Sequence, residues 1–411
     1  MNIFEKPSVS NMLFGNDVEL LPSVTEIFEL ELAHLEYNIL SKEELIKRGA
    51  FFKSVNNQYT QHFLLYSGDK SPVAENRSLK TKQYFENGQF STGYATHGLF
   101  PYRGKFHPQL IKGLLNILGI KKGETILDPM AGSGTANIEA ALIGINSYAI
   151  DVSPFCQLMI QTKYDALLID KKLLTKYELK PNTLFNFFSS ECVSEKIKTI
   201  KDKQKLKLYR LSFLAYLDAM GYSQRVTKSN HQELFARVLN RYVETVINFN
   251  STPYFHSNEL GKLTVLSQSD ALNISLDDCS IDCVITSPPY SFAIDYVEND
   301  KAQLEYLGFD IDKLKTKMIG LKGQKKAEKL EIYFNDMDII CSEIARVLKK
   351  GKYFVMIIGS NTNQTGGIRL ENKIIESSSR HGLKLIKNII KPIKGIRNTM
   401  KDENILIFQK G

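Results

Sequence analysis

The chain has 411 residues, 43% hydrophobic and 24% charged, with a formal net charge of +8 from 53 basic and 45 acidic side chains. These are ordinary soluble-protein values that leave ample material for a core, in one large or two medium domains. No stretch approaches the ~20 consecutive apolar residues of a membrane helix. The start MNIFEKPSVS lacks the basic-then-apolar order of a signal peptide, so a cytoplasmic location is expected.

The five cysteines, Cys156, Cys192, Cys279, Cys283 and Cys341, are odd in number and widely spaced. They fit neither a disulfide framework nor a four-ligand zinc site, and no metal is expected. The positive charge permits a polyanionic partner without requiring one. It gathers in KIKTIKDKQKLKLYR at 196–210 and KTKMIGLKGQKKAEK at 315–329, which suit phosphate contacts or plain solvated helix faces equally.

In chain order, residues 1–95 form a leader with a predicted helix through VTEIFELELAHLEYNILSKEELIKRG, then polar and irregular sequence. From Glu124, short β-branched runs alternate with helical stretches, the pattern of a parallel sheet covered on both faces. ETILD (124–128) and SYAID (147–151) read as strands joined by a helix in GTANIEAALIGI that ends at Gly144, a right-handed βαβ unit. Residues 155–262 interrupt the alternation and read as mostly helical. Strands then resume near 263 (LTVLSQSDA), 281 (IDCVIT) and 352 (KYFVMIIG).

A second insertion spans 291–340, and the helix DIICSEIARVLKKG closes with lysines and a glycine, as a helix C-terminus should. LKLIKNIIKPI and ENILIFQK predict two more strands, an antiparallel edge joined by a loop with glycine and arginine. The resulting domains are the leader, a catalytic domain of 96–154 plus 263–411, and the helical insertion 155–262.

ILDPMAGSGT follows the first strand and opens a helix, where Gly132 and Gly134 let the backbone turn sharply and approach a ligand. This loop lies at the switch point of an open α/β sheet, where such folds bind ligands. It lacks the lysine of a phosphate-cradling loop and carries Asp128, a poor neighbour for phosphate and a good one for a cation. Asp151, ending the second strand, suits the two hydroxyls of a ribose. Asp270, after the third strand, is placed for an adenine amino group. S-adenosylmethionine has that composition: ribose, adenine, an ammonium and a sulfonium. Each carboxylate taken singly also suits a helix cap or the surface.

The strand IDCVIT runs into SPPY at 287–290, where two prolines make a stiff lip with exposed carbonyls. With DPMAGSGT in the same chain, this resembles the amino-methylating DNA methyltransferases, and TSPPY resembles the form common among cytosine-N4 enzymes. The adenine-N6 enzymes more often have Asp or Asn at the position of Ser287. THGLFPYRGKFHPQLIKGLL (96–115) and SPPYSFAIDYVENDKAQLEYLG (287–308) are also similar to the family. The resemblance covers 96–155 and 262–411 well, and the leader and insertion poorly.

The resemblance implies a seven-stranded Rossmann-like methyltransferase sheet with one antiparallel strand near an edge. It implies S-adenosylmethionine at Asp128, Pro129, Gly132, Gly134, Thr135, Asp151, Ser153 and Asp270, covered by Lys105, Phe106 and His107. His107 beside Pro108 equally suits an N-terminal helix position. It implies catalysis at Ser287, Pro288, Pro289 and Tyr290, with double-stranded DNA as substrate, its target base flipped out and stacked on Tyr290, and a restriction endonuclease as companion. In the family the target-recognition region usually precedes the catalytic strand. Here the long insertion falls between the second and third strands. Adenine N6 in DNA, guanine N2 in RNA and a catalytically silent nucleic-acid-binding subunit are the competing readings.

Overall fold

The computed structural model describes residues 9–67, 93–102, 104–176, 180–225, 230–290, 295–360, 362–393 and 400–411. In the leader, β1 (Val18–Leu20), β2 (Phe52–Val55) and β3 (Gln58–Tyr59) form a small antiparallel sheet. The single leader helix expected from the sequence is two: α1 (Ile27–Ile39) and α2 (Lys42–Arg48). The break has a local cause. Ser41 accepts from the Glu44 backbone N–H while the Glu44 carboxylate accepts from that of Ser41, a capping box that starts a new helix.

Helix α3 (Pro108–Ile117), buried along its whole length, leads to β4 (Thr125–Asp128). Next come α4 (Thr135–Leu142), β5 (Asn146–Ala149) and α5 (Pro154–Leu167), the first βαβ unit as read from the sequence. The following stretch is mostly helical, dominated by α6 (Lys203–Arg225) and α7 (His231–Asn250). Then come β6 (Leu263–Val265), β7 (Ile281–Thr286), α8 (Lys326–Val347), β8 (Leu348–Gly359), α9 (Leu370–Arg380), β9 (Leu383–Pro392) and β10 (Asp402–Lys410).

These seven strands form one sheet in the order β6-β5-β4-β7-β8-β10-β9. The first five run parallel, and β10 pairs antiparallel with both β8 and β9. The last two strands form the antiparallel edge expected from the sequence: β10 is inserted antiparallel between β8 and β9, and β9 is the edge strand. This is the seven-stranded methyltransferase topology. The chain reverses its building direction between β4 and β7, so a crevice opens at their carboxyl ends. All six residues of β7 are buried, as a central parallel strand requires.

Two boundaries differ from the sequence reading. Helix α8 ends at Val347, and the lysines expected to close it belong to β8. Lys349 pairs with Asp282 at 2.7 Å and Lys352 with Glu124 at 2.6 Å, so cross-strand ion pairs extend the strand. The two insertions also share one core. Phe188, Phe213 and Tyr242 cluster with Val297, Leu304, Leu314 and Met318, and Gln303 Nε2 donates to the Leu217 carbonyl at 3.1 Å. The loop at 394–399 and residues 291–294 of the family-like segment lie outside the described residues.

Candidate active site

Asp128 ends β4 and Thr286 ends β7, and the Thr286 hydroxyl donates to Asp128 Oδ1 at 2.8 Å across the switch point. Asp128 also accepts from the Met130 N–H at 3.2 Å and is 0% exposed. It does not line the cleft, so its expected direct role toward a cationic ligand gives way to a structural one: it ties the two strands together. Its Oδ2 meets no donor among the described residues, and burial pushes the carboxyl up to about 7.

The glycine turn is held from behind. Asp151 accepts from the Gly132 N–H through Oδ2 and from the Ser153 N–H through Oδ1, each at 2.8 Å. Because the Gly132 amide is already spent on Asp151, the turn is not a free phosphate nest. Burial pushes the Asp151 carboxyl up to about 6, offset in part by these two bonds. Gly132 has φ +51° and faces the cleft. Gly134, at φ +75°, does not: a Cβ there would sit 2.9 Å from Ile160 of α5, so this glycine serves helix packing and not ligand approach.

One cleft of about 950 Å³, open to solvent, gathers most of the expected residues. Lys105, Phe106, Pro129, Gly132, Thr135, Asp151, Ser153, Asp270, Ser287 and Pro289 line it. Asp128, Gly134, His107, Pro288 and Tyr290 do not. Ser153 caps α5 by accepting from the Cys156 N–H, and Asp270 Oδ1 accepts from the Leu272 and Asn273 amides, so both also hold local turns. His107 precedes Pro108 at the start of α3, and burial pushes its imidazole down to about 4, leaving it neutral at pH 7.

Lys105 reaches the cleft because its ammonium donates to the His97 carbonyl at 3.1 Å. His97 is itself fixed by Glu139 of α4, at 2.7 Å, which also accepts from the Tyr94 hydroxyl. Sequence reading missed this buried cluster, since Glu139 lies more than 40 residues along the chain from Tyr94 and His97.

On the other wall, the Ser287 hydroxyl donates to the Ile357 carbonyl of β8 at 2.9 Å. Its lone pairs are thereby left as acceptors toward the cleft. The Pro289 carbonyl accepts from Tyr333 at 2.9 Å, while the Pro288 carbonyl meets no donor among the described residues. Tyr290 departs from expectation. Its hydroxyl donates to Glu403 of β10 at 2.8 Å, and its ring lies 3.2 Å from a Cβ placed at Gly359, behind the cleft wall. A half-buried phenol needs a partner, and Glu403 supplies it.

Residues not singled out from sequence complete the lining: Tyr102, Cys156, Tyr296, Asp300, Lys317 and Met318. Lys163, buried under the glycine turn, donates to the Ser133 carbonyl at 3.1 Å, and burial pushes its ammonium well down. No spacing signal marks these positions. The lining fits S-adenosylmethionine on its own chemistry: Asp151, Asp270 and Asp300 face the cleft, which favours a cation over a pyrophosphate.

The family described as UPF0020, RMKL-like, methyltransferase domain, matches residues 99–213. The chain is similar to the type II methyltransferase M.BsoBI of Geobacillus stearothermophilus at 25% identity, over 55% of each chain. It is 34% identical to the type II methyltransferase M.MjaII of Methanocaldococcus jannaschii, over 33% of this chain and 27% of that one. It is 40% identical to a tRNA (guanine(10)-N2)-dimethyltransferase of Methanothermobacter thermautotrophicus, over 13% of this chain and 16% of the other. The first of these matches spans about half of its relative and the second about a quarter. No helix among the described residues is long and apolar enough to cross a membrane. The sheet order and the glycine turn at its switch point give the chain the fold of S-adenosylmethionine-dependent methyltransferases, and its sequence is similar to type II DNA methyltransferases over part of its length.

Proposed function

We propose that the protein methylates the exocyclic N4 of cytosine in a specific double-stranded DNA sequence. When bound, S-adenosylmethionine supplies an electrophilic methyl group whose bonding pair returns to sulfur on transfer. An exocyclic amine is a poor nucleophile because its lone pair is delocalised into the ring. The protein's task is to hold its hydrogens so that nitrogen becomes more tetrahedral. The observation that carries the reading is the Ser287 hydroxyl: with its proton committed to Ile357, its oxygen is an acceptor for one amino hydrogen. The Pro288 carbonyl, beside the cleft and not in its lining, takes the other once the lip shifts toward the base. The methylated amine would then shed one proton to water.

A neutral serine in place of a charged carboxylate is what favours cytosine, through the family resemblance of TSPPY. The base must leave the duplex, at a cost of a few kcal/mol, to reach this lip. The joined helical insertions flank the cleft and are the target-recognition region in this reading. Lys317 stands exposed at the mouth with no carboxylate partner among the described residues, suited to a phosphate beside the flipped nucleotide. Lys201 and Lys203 are exposed in the same way, whereas Lys315 and Lys322 are paired with Asp295, Glu298 and Asp336. A companion restriction endonuclease belongs to the proposal. The similarity to a tRNA guanine-N2 enzyme keeps RNA as the second reading. Incubating mixed DNA and RNA with isotope-labelled cofactor, then analysing nucleosides by mass spectrometry, tests all of these: label on cytosine N4 of DNA supports the proposal.

A further inference from the structure

One corner of the cleft has a chemistry that base and ribose recognition leave unused. Tyr102 precedes the glycine turn and Tyr296 begins the short helix after the lip, and their rings stack with centroids 6.2 Å apart at 14°. Both line the cleft. The pair is held firmly: the Cys156 thiol donates to the Tyr102 hydroxyl at 3.5 Å, and Gly104 makes room for Tyr296, whose hydroxyl would lie 2.8 Å from a Cβ there. Asp300 lines the same cleft one turn beyond Tyr296, only 7% exposed, and its backbone N–H donates to the Tyr296 carbonyl at 3.1 Å.

We propose that Tyr102, Tyr296 and Asp300 form a cation-recognising corner that distinguishes S-adenosylmethionine from its uncharged-sulfur product, S-adenosylhomocysteine. The physical basis is charge. Aromatic faces attract a cation through their quadrupole, and a carboxylate of low exposure acts through a lower dielectric than water. Cofactor and product share the ribose, adenine, ammonium and carboxylate, so Asp151 and Asp270 bind them alike. Only the sulfonium, lost on methyl transfer, separates them. The proximity of Asp300 is consistent with the phenol of Tyr296, pushed up to about 12 by burial first and by neighbouring acidic groups, Asp300 among them, second. A corner that holds the charged cofactor better than the neutral product assists product exchange, which limits turnover in many enzymes. It also links the second insertion to cofactor loading, since Tyr296 and Asp300 both belong to that insertion.

The proposal rests on S-adenosylmethionine as the cofactor. The test is calorimetric titration of the full chain and of Asp300→Asn and Tyr296→Leu variants with each of the two ligands, alongside thermal melts. Asp300→Asn is expected to weaken S-adenosylmethionine by about tenfold while changing S-adenosylhomocysteine less than about twofold. Tyr296→Leu should shift the same ratio in the same direction. Equal loss for both ligands, or no loss for either, overturns the corner; equal loss would assign Asp300 to the shared ammonium. Failure of the unaltered chain to bind either ligand instead overturns the cofactor assignment itself. A melt near that of the unaltered chain shows that the ratio reports recognition and not unfolding.

Discussion

The two walls of the cleft are built in different ways. The cofactor wall is local: Gly132, Asp151 and Ser153 lie within 22 residues of one another and satisfy each other's hydrogen bonds inside one βαβ unit. The catalytic wall is assembled from a distance. Ser287 is oriented by Ile357, Tyr290 by Glu403 and Pro289 by Tyr333, across 70, 113 and 44 residues of chain. The Asp128–Thr286 bond joins the walls at the switch point. A locally built wall is set once its strands form, while the lip depends on the whole sheet being closed through β10. Damage to one wall should therefore read out separately from damage to the other.

The largest separation is expected at the lip. Ser287→Ala removes the acceptor for the amino hydrogen and should slow methyl transfer on the order of 100-fold, with cofactor affinity nearly unchanged. Single-turnover rates with calorimetry test this, and a rate within a few-fold of the unaltered chain would remove Ser287 from the chemistry. Asp151→Ala is the mirror case on the other wall. Losing a charged acceptor should weaken S-adenosylmethionine by ~1.5–3 kcal/mol, and unchanged affinity in a titration would take Asp151 out of the cofactor site.

Tyr290 sharpens the contrast within the lip itself. Tyr290→Phe loses only the Glu403 bond, whereas Tyr290→Ala also removes the ring that packs behind the wall, so base capture should fall further in the Ala variant than in the Phe variant. Binding to duplexes carrying an abasic site opposite the lip, compared with intact duplexes, measures this. Equal losses in Phe and Ala variants would make the Glu403 bond, not the ring, the important feature.

The pH dependence separates the walls again. Asp151 has its carboxyl pushed up to about 6. Its protonated form is the poorer acceptor for ribose hydroxyls, so cofactor affinity should rise as pH increases from 5 to 7 and then level off. Folding stability has the opposite sign for the same group. A raised carboxyl favours the protonated fold, so this contribution is present below about 4 and is lost as pH climbs to about 6. Asp151→Asn should flatten the affinity profile, and a profile unchanged by that substitution would move the titration elsewhere. The smallest effect is expected at Lys317→Glu, which should reduce the salt dependence of DNA binding by roughly one to two phosphate contacts without altering cofactor affinity. Electrophoretic titrations over a salt series would reveal an unaltered slope if Lys317 is an ordinary solvated residue.

The same contrast explains what could be read from the sequence. The strands, the glycine turn and the strand-end carboxylates were legible because each is a signal of a few adjacent residues. Ser287 was legible through its prolines. The role of Asp128 was not, because a strand-end carboxylate looks alike whether it faces a ligand or a threonine 158 residues away. Gly134 was assigned to the ligand because its packing against Ile160 depends on where α5 lies. Tyr290 was placed on the base because Glu403 becomes its neighbour only through β10. The leader's small sheet escaped notice since its strands are two to four residues long. The shared core of the two insertions is a matter of tertiary packing, with no periodic trace to announce it.

The central claim is that this cleft presents a cytosine amino group to the sulfonium methyl. Nucleoside mass spectrometry of DNA methylated by the purified full chain, with the Ser287→Ala variant as control, tests it most directly. N4-methylcytosine formed by the unaltered chain and nearly lost in the variant is the predicted result, whereas N6-methyladenine, or modification confined to RNA, would contradict it.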